Sequence, residues 1–147
     1  MVGTDDDGLG EEAQRGFAAD ESLDAYTSFY RLVLVSYGYR CALTGARFAA
    51  PNAALHADLD VAAIQPRERG GPLVIANYLP MLVSLVPVFR NGLVTIEDDY
   101  RLLVPRPELL DRDTLAALRS SVLVPDDPLF RPGAAFLAHH RRYALGR

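Results

Sequence analysis

Apolar positions along this chain change spacing several times, and each change predicts an element. From Ser22 to Tyr37, residues Leu23, Tyr26, Phe29, Tyr30, Val33 and Leu34 recur every three or four positions, the spacing of one helical face. Ser22 is placed to cap that helix, Asp24 suits its first turn, and Gly38 ends it. Thr44-Gly45 then supplies a turn. Within Ala54–Ile64 the pattern shortens: Leu59, Val61 and Ala63 alternate with Asp60 and Ala62, which predicts a strand. Pro66–Pro72 reads as a loop in which Gly70-Gly71 allows backbone angles other residues resist. Val74–Val86 is a long apolar run and predicts a helix that Pro80 kinks or starts. Asn91-Gly92 predicts a tight turn into a second strand, Leu93–Ile96. Glu97-Asp98-Asp99 turns the chain again into a strand over Tyr100–Val104. Asp111 or Asp113 caps a further helix running to Arg119, with Leu115 and Leu118 inward. Val122–Val124 reads as a short strand, Asp126–Pro132 as a loop, and Gly133–Tyr143 as a last helix. No internal repeat, Gly-rich phosphate loop, Ser-His-Asp order or EF-hand is visible.

Composition sharpens this picture. The 147 residues fit one domain with tails, and half of them are hydrophobic, enough for a core. No apolar run reaches the roughly 18 residues that span a bilayer. Leu73–Phe89 comes nearest and is broken by Asn77, Pro80, Ser84 and Pro87. The acidic start carries no apolar segment of a secretory leader, so a bacterial cytoplasmic location is expected. Cys41, the only cysteine, excludes an internal disulfide and a Cys-rich zinc site. Charge is uneven: residues 1–24 hold eight acids against one base, a net −7, and the remainder holds fourteen bases against eleven acids, a net +3. Residues 1–20 therefore read as an acidic disordered tail on a single domain over 21–147. The tail is either a plain solvated leader or an arm that covers the basic face or meets a partner. Every one of the 15 basic residues is Arg. Coding bias produces such a composition, and the planar arginine fork also suits phosphate.

Several stretches, taken in order, resemble the HNH endonucleases of the ββα-metal type. They are Tyr37–Gly45 (YGYRCALTG), Ala62–Pro66 (AAIQP), Gly70–Pro72 (GGP), Asn77, Phe89, Gly92, Thr95–Leu102 (TIEDDYRL) and Pro132–Arg142 (PGAAFLAHHRR). The resemblance covers roughly Phe29 to Tyr143. It implies an α+β fold with a ββα-metal core and flanking helices. It also implies a general-base His at the end of the first strand, an Asn near the start of the helix, and a helix His holding one divalent metal. Those three positions fall here on Ala63, Asn77 and Val86, and an acid common in relatives falls on Arg90. Ala and Val neither accept protons nor ligate metals, so no catalytic residue, metal or cofactor is expected. Asn77 is read as a hydrogen-bonding brace of the Gly-Gly loop and Cys41 as a small buried hydrophobe. His140 matches a His of the tail motif and is read as packing or capping.

Arg67, Arg69, Asn77 and Arg90 are the binding candidates. The leading reading is a catalytically inactive module that binds DNA or RNA or regulates a partner. Two alternatives stand beside it. In one, Ala63, Leu85, Val86, Pro87 and Val88 form an apolar surface for a protein partner or a second copy. In the other, the chain is an active metal-dependent endonuclease with ligands relocated to His56, Asp58 and Asp60.

Overall fold

The computed structural model describes residues 25–51, 53 and 55–146. The acidic stretch at 1–20 and the Ser22 cap lie outside them. From Leu32 onward the chain forms one compact unit. Helix α1 spans residues 25–36. It stops where Gly38 and Tyr39 enter the left-handed region, at φ 64° and 56°. There Tyr39 N donates to Leu34 O and Gly38 N to Val35 O, satisfying the last carbonyls. Val33, Leu34 and Tyr37 are fully buried.

The central hairpin pairs β1, Leu59–Ala63, antiparallel with β2, Tyr78–Leu82, in a register from Leu59↔Leu82 to Ala63↔Tyr78. A 3-10 turn, Val83–Leu85, leads into helix α2, Val86–Arg90, which packs back on β1. The order is β, β, α, and the protein is α+β as expected. The second strand, however, is not the expected one. The helix expected over Val74–Val86 is instead a 3-10 turn at Ile75–Asn77, strand β2, and the entry to α2. The first four residues of β2 are all buried, so its two faces do not alternate in polarity. Pro80 fits this strand because its carbonyl turns away from β1 to accept from Ala42 N, and its nitrogen, on the same side, costs the β1–β2 ladder no hydrogen bond.

Asn91-Gly92 likewise closes α2 rather than a hairpin. Gly92 has φ 74°, its N–H donates to Phe89 O, and Leu93 N donates to Val88 O. Strand β3 is only Thr95–Ile96, and it pairs with β4, Leu102–Leu103, in a separate two-stranded sheet. Helix α3, Arg112–Ala117, ends before Arg119, and Asp111 caps it by accepting from Thr114 N at 2.7 Å. Residues 122–124 form no strand. Val122 N donates to Tyr100 O and Leu123 N to Ala42 O. Cys41 is fully buried beside Ala42, its Sγ 3.4 Å from Leu82 N.

Helix α4, Ala134–Leu145, packs on β3. Its His140 is 5% exposed and stacks on Phe89, ring centroids 4.0 Å apart. Phe89 O can only accept, so Nε2 carries the proton and donates to it at 2.9 Å. Nδ1 then accepts from the Thr95 hydroxyl at 2.7 Å. Burial lowers the pKa of this imidazole, the Phe89 carbonyl opposes the shift, and His139 adds to it. The unfolded chain, at about 6.5, therefore takes up this proton before the folded chain does. Stability from this group is complete above that pH and falls as pH drops toward the lowered folded value, by up to about 1.4 kcal/mol per pH unit. Urea unfolding of wild type and His140→Gln between neutral and mildly acid pH checks it. The stability gap between the two proteins is expected to narrow on acidification.

Candidate nucleic-acid interface

The loop between β1 and β2 is held by one amide. Asn77, fully buried, lies just before β2 rather than near the start of the helix. Its Oδ1 accepts from Gln65 N at 2.9 Å, and its Nδ2 donates to Gln65 O at 3.0 Å and to Pro72 O at 3.1 Å. Both ends of the loop are thus tied to one side chain. Within it, Arg67–Arg69 form a 3-10 turn closed by Gly70 at φ 84°. Gln65 Nε2 donates to Arg69 O at 2.7 Å, and Gly71 N to Pro66 O at 2.9 Å. Gly71 is buried against this clamp, and a Cβ there would run into the Gln65 carbonyl.

Around the clamp stand the positions singled out in the sequence. Ala63, half-buried, is the last residue of β1 and pairs with Tyr78. Val86 opens α2 and is buried with Leu85, while Val88 is half-buried and Pro87 exposed. This donor set does not fit a metal, since neither side chain offers a lone pair and Arg90 closes the helix with a cation. Among the described residues no group of three or more His, Cys, Asp or Glu is placed to hold a metal ion. His56 is already engaged: Nδ1 accepts from Asp58 N and Leu59 N at 3.0 and 3.2 Å, and Nε2 lies 3.1 Å from Ala49 O. Asp58 precedes the strand, and Asp60 accepts from Val61 N.

What does gather here is arginine. Arg67 from the loop and Arg90 from α2 both act on the Tyr78 hydroxyl. Burial raises its pKa, the two guanidinium groups pull it down, and Glu68 pushes it up again. Arg69 reaches the other way, its Cζ 5.8 Å from the Tyr143 ring centroid on α4. His139, on the same helix, is held below its usual pKa by burial and then by Arg142 and Arg69. Arg101 and Arg141 pair with Asp99, Glu97 and Asp98, whereas Arg67, Arg69, Arg90 and Arg142 form no salt bridge among the described residues. Sequence reasoning found Arg67, Arg69 and Arg90 but missed Tyr78, His139, Arg142 and Tyr143. The last three sit at i, i+3 and i+4, a signal that they share one helix face.

No helix among the described residues is long and apolar enough to cross a membrane. No protein-family model matches the chain. A comparison with curated proteins also finds no match. Among solved structures, the chain is similar to one described as a modification dependent TagI restriction endonuclease, with a TM-score of 0.52 and 23% identity. The likeness covers 78% of this chain but only 36% of that one, so this chain spans well under half of its neighbour's length. The shared feature is the architecture: an α+β, nuclease-like fold.

Proposed function

We propose that this protein is a degenerate HNH-like nuclease module that binds nucleic acid without cutting it. The observation that carries this reading is the contrast within one site. By the HNH resemblance, Ala63 and Val86 take the positions of the base and metal-binding imidazoles, yet the Asn77 clamp holds a loop whose arginines lack carboxylate partners among the described residues. Guanidinium groups on separate elements, without carboxylate partners among the described residues, suit a phosphodiester backbone, which offers paired oxygens to each fork. The net +3 outside the acidic leader agrees in sign. The endonuclease neighbour supports the same class of ligand. The apolar-docking alternative loses much of its surface, because Leu85 and Val86 are buried. The relocated-ligand alternative loses His56, whose ring nitrogens meet backbone atoms.

Fluorescence anisotropy with a labelled duplex, over a series of salt concentrations, tests this. The wild type is expected to bind with an affinity that falls as salt rises. The Arg67→Ala/Arg69→Ala/Arg90→Ala protein is expected to flatten the log–log slope by about 2 to 3, near 0.9 for each phosphate no longer neutralised. Supercoiled plasmid incubated with magnesium or manganese is expected to stay intact. Robust nicking by the wild type would overturn the inactive reading, and absent or salt-independent binding the nucleic-acid reading.

A further inference from the structure

One aromatic ring at the edge of this arginine cluster has no part in the core. Tyr143 is 51% exposed, in the last turns of α4. Its position is fixed from beneath by the α2 cap. A Cβ on Gly92 would lie 3.5 Å from Tyr143 Cδ2 and 2.9 Å from Ala144 Cα, so only glycine lets this turn of α4 sit so close. Arg69 reaches the ring from the clamped loop, 5.8 Å from its centroid. Arg142 is the neighbouring residue, exposed, with no carboxylate partner among the described residues. One turn back, His139 Nδ1 is buried with no hydrogen-bond partner among the described residues. Two elements far apart in sequence thus bring together an exposed aromatic ring and two guanidinium groups with no carboxylate partner among the described residues.

That combination matches an unpaired nucleotide better than a duplex. Any base can stack on an aromatic side chain while cations follow the backbone beside it. A base inside a duplex is covered on both faces by its neighbours and must leave the stack to be read this way. We infer that Tyr143, Arg69 and Arg142 form a platform for an unpaired base and its phosphates. The inference rests on the nucleic-acid reading above and adds a preference for single-stranded segments.

Anisotropy at one fixed salt concentration, with EDTA present, compares a labelled oligo-dT strand with a duplex of equal length. Wild type, Tyr143→Leu and Tyr143→Phe are measured, with circular dichroism to verify folding. Tyr143→Leu is expected to lower the strand-to-duplex affinity ratio about tenfold, while Tyr143→Phe, which keeps the stacking face, retains it. An unchanged ratio in Tyr143→Leu, or equal loss in the Leu and Phe variants, overturns the platform and leaves the nucleic-acid reading standing. If the wild type binds neither probe, both readings fall.

Discussion

Replacing Asn77 with Leu is expected to cost about 3 kcal/mol, since its partners are only part-buried and each falls at the low end of the roughly 1–3 kcal/mol that an unsatisfied buried group costs. The groups concerned are the N–H and carbonyl of Gln65 and the carbonyl of Pro72. Leu keeps the branched shape and opens no cavity, but its methyl groups are bulkier than the amide, so the loss combines the broken hydrogen bonds with crowding at a fully buried position. For a domain of this size the midpoint should fall by roughly 12 °C. Thermal unfolding followed by circular dichroism reads this directly. A drop of only a few degrees would mean that water replaces the amide and that the loop does not depend on it. On the proposed reading, nucleic-acid affinity should fall too, because Arg67 and Arg69 ride on the loop that the amide ties.

Gly71→Ala should be of comparable size, about 3 kcal/mol, the upper end of the usual overpacking range, at a site with no slack. The added methyl would meet the Gln65 carbonyl, a backbone atom, and would come 2.9 Å from Asn77 Nδ2. Neither is the free end of a flexible side chain, so relief requires opening the clamp. The two substitutions therefore act on one structure and should not add. Urea unfolding of both single variants and the double variant measures this. The expected result is a double-variant loss clearly smaller than the sum, and strict additivity would show that the glycine and the amide act independently.

The clamp was legible in the sequence because its parts are local: a Gly-Gly-Pro loop and one amide in an otherwise apolar stretch. The strand that follows it was not. Tyr78–Leu82 carries apolar residues on both faces, and a short run of that kind reads equally as a buried helix. Pro80 was the available signal, since a helix interior loses a hydrogen bond there and a strand can place the ring where no donor is required. Asn91-Gly92 misled for a related reason. A left-handed glycine closes helices as readily as hairpins, and only Gly92 N to Phe89 O tells which. Arg69 beside Tyr143 depends on α4 folding back over the α2 cap. That is a long-range approach, with no trace in local spacing except the small residue at Gly92.

The hydrogen bond from Gln65 to Arg69 O has a consequence for how quickly and how tightly this loop can engage a ligand. A floppy arginine loop would have to be frozen on binding, at about 1–2 kcal/mol of lost entropy for each backbone residue. Here the turn is already shaped, and only the guanidinium arms need to settle, at roughly 0.5–1.5 kcal/mol each. Encounter then requires no folding step, and attraction between opposite charges can set the rate of association directly.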